Sequence, residues 1–413
     1  FSSRRRHTRY ISVTGVQTCA LPILYKADEI TTVHLELSEL CNASCPQCAR
    51  NINGGEENPQ LHNAELSLDD IKTIFKPEFI QQLKRLYMCG NYGDPITAKD
   101  TLEIFEYLRS YNDKMQLSMH TNASAKTPEW WSRLPAAMGK NHYVVFSVDG
   151  LEDTNHLYRQ GTIWSKIIAN AKAFIEAGGR ARWDYIVFAH NEHQVEEARA
   201  LADSMGFEQF NIKKSNRFFS TTQGAVKMAH QAGNRKGVET TLIAMPKNPE
   251  YQNTAIKNMV DISKDKGEIS INFMTTVKDI EGKLGQQRFN TDPNKKKDME
   301  KYWDSVPIKC KVAEEKSIYV TAEGYVQPCC WTAGQMYVWY WKERGGQIWN
   351  AIDIIGLDNL DAKKYDIRDI INGKYIQEVI PNSWQLNSCA EGKLAVCAKT
   401  CGTKYDAFSE QFK

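Results

Sequence analysis

The feature that most restricts the fold of this chain is a regular alternation of short apolar runs and helical patterns between residues 30 and 215. Runs of strand length recur six times, and stretches with an apolar residue every three or four positions separate most of them. Strands that alternate with helices predict a parallel sheet with right-handed crossovers. Six strands in this order predict an α/β fold, a partial (β/α)6 barrel of the TIM type, with its chemistry at the carboxyl ends of the strands.

The predicted elements occupy most of this region. Strands are predicted at 31–37, 84–90, 116–122, 142–150, 181–189 and 207–213, and helices at 66–83, 101–111, 164–178 and 193–206. Ser67 is predicted to cap the first helix, because a serine hydroxyl at this position accepts a hydrogen bond from a free backbone N–H of the first turn.

Composition divides the chain into four predicted segments. Residues 1–24 carry four arginines and no acidic residue and resemble translated sequencing-adapter read-through, so we predict a non-native or disordered segment. Residues 25–216 are predicted to form the barrel. Residues 217–305, rich in Lys, Asn, Gly and Thr, are predicted to be a solvated linker with one or two helices, or else a lid or a surface for an acidic substrate. Residues 306–413 are predicted to form a small, loop-rich domain held by metal.

Composition also limits the partners. The formal net charge of +2 owes its sign to the arginines of the first segment, so it supports no nucleic-acid partner. No stretch approaches the ~18 uncharged apolar residues of a membrane span, and the first segment is too polar for a secretory signal. We therefore expect a cytoplasmic protein with neither a membrane nor a nucleic-acid partner.

Three cysteines, Cys41, Cys45 and Cys48, lie on one short loop directly after a predicted strand. Without a secretory signal, clustered cysteines indicate metal binding rather than disulfides. Three thiolates can hold three irons of a cubane and leave the fourth iron open to a small chelating molecule, whereas an electron-transfer cubane has four cysteine ligands. Zinc is the alternative, with His34 or His62 as the fourth ligand, although zinc loops usually come as paired C-x2-C knuckles.

The C-x3-C-x2-C spacing after a first strand resembles the signature of the radical S-adenosylmethionine (SAM) superfamily. The resemblance covers about residues 31–215. It implies a [4Fe-4S] cluster on the three cysteines and SAM on the open iron. Gln47 departs from the pattern, because the family commonly has an aromatic residue there that packs near the adenine.

Two further strings resemble cofactor-binding segments of the same superfamily. The string Gly-Asn-Tyr-Gly-Asp-Pro at 90–95 is similar to a Gly-Gly-Glu-Pro segment that receives the ammonium group of the cofactor. This resemblance implies that Gly93 and Asp94 bind SAM, with the aspartate arm one methylene shorter. The predicted third strand ends in His-Thr-Asn, like the Thr-Asn segment of the family, which implies a role for Asn122.

The fourth predicted strand ends in Ser-Val-Asp-Gly, followed by an Arg-x-Gly string. The combination resembles a motif of peptide-modifying members of the superfamily. The resemblance implies that Ser147 binds the ribose and that Arg159, twelve residues on, pairs with the cofactor carboxylate. A guanidinium fork suits a carboxylate, although an isolated arginine is more often part of a surface ion pair.

The later cysteines indicate a second metal site. Cys310, Gly324 and Cys329 follow a C-x13-G-x4-C pattern that resembles the opening of the auxiliary-cluster domains called SPASM and twitch. The stretch between the two cysteines is predicted to be a hairpin that turns at Glu323 and Gly324, and a hairpin brings its two ends together.

The number of late cysteines favours one auxiliary cluster over two. The predicted ligands are Cys310, Cys329, Cys397 and Cys401, with Cys389 as the main competitor. A zinc site built from these cysteines is the alternative. Cys330 is predicted to be a packed thiol rather than a hydrogen-atom donor, because adjacent side chains of a strand point in opposite directions.

The resemblance implies a radical SAM enzyme, an oxidoreductase in the broad sense, that cleaves SAM reductively to a 5′-deoxyadenosyl radical and removes a hydrogen atom from its substrate. Modification of a peptide or protein is the first hypothesis, small-molecule dehydrogenation or rearrangement the second, and a noncatalytic zinc-binding protein the third. An electron donor such as flavodoxin or ferredoxin is also implied. The predicted barrel begins almost at the N-terminus once residues 1–24 are excluded, so we expect no domain for a leader peptide before it. No catalytic residue is assigned.

Overall fold

The computed structural model describes residues 24–220, 225–226, 229–253, 301–339 and 344–402. The predicted non-native segment therefore lies outside the described residues except for its last member. Leu24 is buried in the main hydrophobic core together with Tyr25. No helix in the described part of the chain is long and apolar enough to cross a membrane.

Six parallel strands form the main body of the sheet. They are β1 (Thr32–Leu35), β2 (Arg85–Met88), β3 (Gln116–Thr121), β4 (His142–Ser147), β5 (Ala181–Ile186) and β6 (Gln209–Lys213). Each strand pairs in parallel with the next one along the chain. The prediction of a partial barrel of six strands is confirmed. The first five strands end one to three residues earlier than predicted, because their last predicted residues belong to the loops that build the site.

The remaining strands of the described residues form three antiparallel pairs. They are β7 (Phe219–Ser220), β8 (Ala225–Val226), β9 (Ala229–Gly233), β10 (Glu239–Ala244), β11 (Ser317–Val320) and β12 (Val326–Gln327). Strands β11 and β12 form the predicted hairpin, and Gly324 has a φ of +96° in its turn. Strand β11 also pairs in parallel with β1, so the sheet runs β12-β11-β1-β2-β3-β4-β5-β6. The C-terminal hairpin thus continues the barrel sheet.

Helices cover the outer face of the sheet, and further helices form much of the C-terminal region. They are α1 (Leu68–Ile74), α2 (Pro77–Gln82), α3 (Thr101–Tyr111), α4 (Pro128–Met138), α5 (Asn155–Tyr158), α6 (Trp164–Glu176), α7 (Val195–Met205), α8 (Lys311–Glu315), α9 (Cys330–Gly334), α10 (Gln347–Asp353), α11 (Ile367–Asn372), α12 (Ile380–Ser383) and α13 (Ala395–Cys401). The Ser67 cap is confirmed, since its side chain accepts a hydrogen bond from the Asp70 amide.

One prediction about these elements is wrong. The single helix predicted over 66–83 is two helices, because Pro77 has no amide hydrogen to continue α1 and instead occupies the first turn of α2. Helix α4, which contains Pro135 in its interior, was not predicted.

The segment predicted to be a linker contains strands where it is described. Strands β9 and β10 form an antiparallel hairpin that was not predicted, whereas residues 301–305 at the end of the segment are helical, in line with the prediction of one or two helices. The buried residues of the hairpin include Ala232 and Ile243, which belong to a small hydrophobic cluster with Ala43 and Cys45 of the first cysteine loop. The physical reason for the correction is this burial: the hairpin is a cover for the cysteine loop rather than a solvated connection. Residues 254–300 of the predicted linker lie outside the described residues.

Candidate functional site

The first cysteine loop leaves β1 and turns back at the carboxyl edge of the sheet. The Cys48 amide donates to the Cys45 carbonyl at 3.0 Å, which closes a tight turn between the last two cysteines. The Ser44 amide donates to the carbonyl of Gln160 at 2.8 Å, and its hydroxyl donates to the Gly54 carbonyl at 2.5 Å. The three thiols are thus presented by a loop that is fixed to two other parts of the chain.

Each sulfur of this loop contacts a different segment at the site. Asn122 Nδ2 donates to Cys41 Sγ at 3.6 Å, and Arg159 Nη1 donates to Cys45 Sγ at 3.8 Å. The Cys48 thiol lies 3.9 Å from the carbonyl oxygen of Asn91. The segments that end β2, β3 and β4 therefore meet at the cysteine loop, although they are far apart in sequence.

The segment after β2 approaches the cysteine loop very closely. The Asp94 amide donates to the Leu40 carbonyl at 2.8 Å. A Cβ atom added at Gly93 would lie 1.7 Å from the Ser38 carbonyl oxygen, and one added at Gly90 would lie 1.8 Å from the Gly93 carbonyl oxygen. Both positions accordingly require glycine, because only glycine permits two backbones to come this close.

Asp94 joins this segment to the end of β3. Its carboxylate accepts hydrogen bonds from the Asn122 amide at 2.7 Å, the Thr121 hydroxyl at 3.1 Å and the Ile96 amide at 3.2 Å. Burial raises the pKa of Asp94 to about 6, against the opposing effect of these donors. The predicted ligand of the cofactor ammonium group is therefore also a structural link between two loops.

Arg159 has a carboxylate partner within the chain. Its Nε donates to Asp149 Oδ2 at 2.6 Å, and the Asp149 side chain is fully buried. Burial raises the pKa of Asp149, and the adjacent guanidinium opposes that rise. Asp149 belongs to the same Ser-Val-Asp-Gly string as Ser147, which lies half-buried at the end of β4. The string thus places the guanidinium beside Cys45.

Gln47 connects the cysteine loop to the cover formed by β9 and β10. Its side chain lies 3.2 Å from His230 Nε2 and accepts a hydrogen bond from the Ser215 hydroxyl at 2.9 Å. From the same hairpin region, Arg235 donates to the carbonyls of Cys41 at 2.8 Å and Ala43 at 3.0 Å. Nothing in the pattern around residue 235 indicated this contact, because the segment resembled a solvated linker.

Glu36 is a second residue that the sequence did not single out. It follows β1 and is 1% exposed, and its carboxylate accepts hydrogen bonds from the amides of Asn91, Tyr92 and Gly93. Burial raises the pKa of Glu36 to about 7 against the effect of these donors and of the Tyr319 hydroxyl. The available signal was a charged residue inside the strand predicted at 31–37, since a glutamate is rarely buried unless its carboxylate is paired.

Polar side chains from several strands face one another beneath the site. Lys213 Nζ lies 2.5 Å from Asp184 Oδ2, and both side chains are largely buried. His34 donates to the Cys89 carbonyl at 2.6 Å. Burial lowers the pKa of His34 to about 4 and that of His120 to about 3, with Lys213 also lowering the latter, so both imidazoles are neutral at pH 7.

Four late cysteines line a single small cavity. They are Cys310, Cys329, Cys397 and Cys401, and most of the other lining residues are apolar. Burial raises the pKa of Cys329, and burial likewise raises the pKa of Cys397. The indole of Trp384, another lining residue, donates a hydrogen bond to the Cys397 thiol and opposes the rise in the pKa of that thiol. The cavity therefore holds an N–H donor directed at one of its sulfurs.

The other two late cysteines are placed differently. Cys389 does not line the cavity, and its thiol and amide both interact with the carboxylate of Asp304. Burial and the carboxylate raise the pKa of Cys389 to about 11. Cys330 begins α9, and its carbonyl accepts a hydrogen bond from Asn91 Nδ2 at 3.2 Å.

The donor sets fit iron–sulfur clusters. One loop supplies three sulfurs, and the cavity supplies four sulfurs and an indole N–H that hydrogen-bonds to one of them, the kind of donor that surrounds cluster ligands. Within the described ranges, no three His, Cys, Asp or Glu side chains are gathered closely enough to hold one metal ion. His62, a fourth ligand considered for zinc, pairs instead with Glu323 at 2.7 Å.

One family model matches part of this chain. Residues 35–202 match the family model for the Radical SAM superfamily, and no curated protein matches the chain. Among solved structures, SuiB of Streptococcus suis is 14% identical over 90% of this chain and 73% of SuiB, with a TM-score of 0.47. anSMEcpe with bound AdoMet is 14% identical over 92% and 96%, with a TM-score of 0.47. BtrN in complex with AdoMet and 2-DOIA is 12% identical over 93% and 97%, with a TM-score of 0.37.

Proposed function

We propose that this chain, whose residues 35–202 match the Radical SAM family model, is a radical SAM enzyme that uses SAM to remove a hydrogen atom from a peptide or protein substrate. The observation that carries the proposal is the meeting of three segments at the cysteine loop, one at each sulfur. When bound, the cluster and SAM supply the electron and the radical for hydrogen abstraction.

We assign the residues of the chain to the cofactor as follows. Cys41, Cys45 and Cys48 would hold the first cluster, and three cysteine ligands would leave it a coordination position open to SAM. Arg159 retains guanidinium donors beyond the one it gives to Asp149, so it can also meet the SAM carboxylate.

The remaining cofactor contacts come from strand ends. Gly93 and Asp94 lie where the ammonium group would approach, Asn122 lies at the end of β3, and Ser147 at the end of β4 offers a hydroxyl for the ribose. The neutral His120 and the Lys213–Asp184 pair form the polar surface that the substrate would meet inside the barrel.

The auxiliary site is proposed to hold one [4Fe-4S] cluster on Cys310, Cys329, Cys397 and Cys401. The support is that all four line one cavity while Cys389 is engaged by Asp304. With all four positions filled by cysteine, such a cluster exchanges electrons and binds no substrate. A low-potential carrier such as flavodoxin or ferredoxin is the proposed electron donor. Residues 25–216 and 306–413 are proposed as the two functional regions.

A peptide substrate is supported by the Ser-Val-Asp-Gly and Arg-x-Gly strings, which resemble those of peptide-modifying members of the superfamily. The experiment is anaerobic purification with iron and sulfide analysis, followed by incubation with SAM and a reductant. We expect about eight irons per chain for two cubanes and release of 5′-deoxyadenosine.

Replacing Cys41, Cys45 and Cys48 together by alanine should remove about four irons and all 5′-deoxyadenosine. The matched control is Cys89→Ala, because Cys89 is a buried thiol that contacts neither cluster site in this assignment. Bound zinc, or 5′-deoxyadenosine release by the triple variant at the rate of the parent, would refute the proposal.

A further inference from the structure

We propose that Tyr319 and Glu36 are positioning residues by which the C-terminal hairpin of β11 and β12 holds the SAM-binding loop in its working conformation. The inference rests on the proposed function, because it takes residues 90–94 as part of the SAM site. It makes the auxiliary region a structural part of the first site, so that the affinity for SAM depends on a hydroxyl more than 200 residues away in sequence.

The first step is the carboxylate of Glu36. Its Oε1 accepts hydrogen bonds from the amides of Tyr92 at 2.8 Å and Gly93 at 3.0 Å, and its Oε2 accepts one from the Asn91 amide at 3.1 Å. Three consecutive backbone N–H groups therefore converge on one buried acceptor. Since an unsatisfied buried charge is costly, the conformation of this loop and the position of the carboxylate determine each other.

The second step is the source of the fourth donor. The Tyr319 hydroxyl donates to Glu36 Oε2, and Tyr319 is 1% exposed. Tyr319 belongs to β11, which pairs in parallel with β1 directly beside His34. The hairpin can deliver this hydroxyl only because it continues the barrel sheet.

The third step is a set of direct contacts between the loop and the C-terminal region. Asn91 Nδ2 donates to the Tyr319 hydroxyl oxygen at 3.3 Å and to the Cys330 carbonyl at 3.2 Å. The Tyr92 hydroxyl donates to the Gly334 carbonyl at 3.3 Å. Both Cys330 and Gly334 belong to α9, which begins directly after the cavity residue Cys329.

The fourth step is the opposite side of the same loop, which faces the first cysteine site. The Asn91 carbonyl lies 3.9 Å from Cys48 Sγ, and the Asp94 amide donates to the Leu40 carbonyl. Asn91 therefore spans the distance between a sulfur of the first site and the helix that follows the second. A shift of β11 would move the loop and change the approach of SAM to the first site.

The experiment compares Tyr319→Phe with Tyr325→Phe. Tyr325 is a partly exposed tyrosine of the same hairpin region, and within the described residues its hydroxyl makes no hydrogen bond to Glu36 or to the 90–94 loop. The first readout is amide hydrogen exchange at residues 91–93 in protein without iron, which is independent of catalysis. The second is the dissociation constant for SAM in the reconstituted protein.

For Tyr319→Phe we expect the three amides to exchange roughly tenfold faster, because a hydrogen bond to the carboxylate that holds them is lost. For the same reason we expect the dissociation constant for SAM to rise roughly five- to tenfold. Iron content and kcat at saturating SAM should stay near the values of the parent. Tyr325→Phe should change neither readout. A second variant, Asn91→Ala, removes the direct contacts to β11 and α9 and should weaken SAM binding in the same direction even where Tyr319→Phe yields little folded protein.

Unchanged exchange and unchanged SAM affinity in Tyr319→Phe would overturn the inference. The proposed function would still stand if the parent released 5′-deoxyadenosine. A different result would be that the parent does not bind SAM while the amides of Tyr319→Phe still exchange faster. That result would support the coupling between the hairpin and the loop, and it would reject the proposed role of the loop in binding SAM.

Discussion

The two cysteine sites of this molecule are built in opposite ways. The first loop offers three sulfurs, and each one touches a polar group of a different segment. The auxiliary cavity offers four sulfurs within mostly apolar walls, and the indole of Trp384 hydrogen-bonds to one of them, the Cys397 thiol. The first site lacks a fourth cysteine and has polar neighbours, so it suits a cluster that also binds a second molecule. The auxiliary site has four cysteines in apolar surroundings, so it suits a cluster with no open coordination position.

The sharpest way to break this comparison is to remove one sulfur from the closed site. Cys397→Ala should lower the iron content from about eight to about four per chain, because a cubane that loses one of four ligands in an apolar cavity is not retained. Cys389→Ala is the matched control and should leave the iron content unchanged, since Cys389 lies outside the cavity. Equal losses in the two variants would show that the ligand set is wrong.

A second test concerns the close approach on which the open site depends. Gly93→Ala would place a methyl group 1.7 Å from the Ser38 carbonyl oxygen, so the two loops must separate. We expect a loss of about 4 kcal/mol in the free energy of unfolding, or no folded protein. Gly178→Ala is the control: its φ is also positive, but no atom lies within 4 Å of the added carbon, so about 1 kcal/mol is expected. Urea unfolding by circular dichroism measures both, and similar losses would contradict the close approach.

A third test concerns the buried ion pair beside Cys45. Arg159→Gln leaves the fully buried Asp149 without its cation, and we expect a loss of about 3 kcal/mol in the free energy of unfolding. Arg180→Gln breaks the exposed pair with Glu208 and should cost less than about 1 kcal/mol. Urea titrations measure the free energy of unfolding of both variants. If Arg159→Gln lost no more stability than Arg180→Gln, the buried ion pair would contribute little to the site.

The fourth and smallest test uses pH. The folded state holds His34 neutral because burial lowers its pKa to about 4. Between pH 6.5 and 4 the unfolded chain therefore binds a proton that the folded chain does not, so the folded state loses stability as the pH falls through this window and the loss levels off below it. His34→Gln should reduce this loss by on the order of 2 kcal/mol. Glu36 and Asp94 act in the opposite direction, because burial raises the pKa of each carboxyl.

Glu36 and Asp94 are present in both the parent and His34→Gln. The difference between the two pH profiles of stability therefore reports on His34 alone. Thermal or urea unfolding at several pH values measures it. Identical pH profiles for parent and His34→Gln would show that the imidazole is not held neutral.

The sequence predicted the parts of the molecule that have a local pattern. Alternation of apolar runs predicted the six parallel strands, and two short strand-like runs around a turn at Glu323 and Gly324 predicted the hairpin of β11 and β12. Local patterns of this kind are set by strand and turn geometry within a few residues, so one sequence is enough to find them.

The parts that escaped prediction are pairings over long distances in sequence. Nothing in the sequence of β11 indicates that it lies beside β1, and nothing near Glu36 indicates that a tyrosine from β11 donates to it. The hairpin of β9 and β10 was mistaken for a linker, because its few buried residues pack on parts of the chain that are distant in sequence, among them the cysteine loop. Burial against a distant partner decided these structures, and a single sequence does not encode the partner locally.

The most direct measurement of the central claim is electron–nuclear double resonance on the reduced protein with SAM that carries ¹⁵N in its amino group. The account predicts a hyperfine coupling between that nitrogen and the cluster on Cys41, Cys45 and Cys48, because the iron without a protein ligand is the one that chelates SAM. A reduced cluster that shows no coupling while SAM is bound in stoichiometric amount would contradict the account.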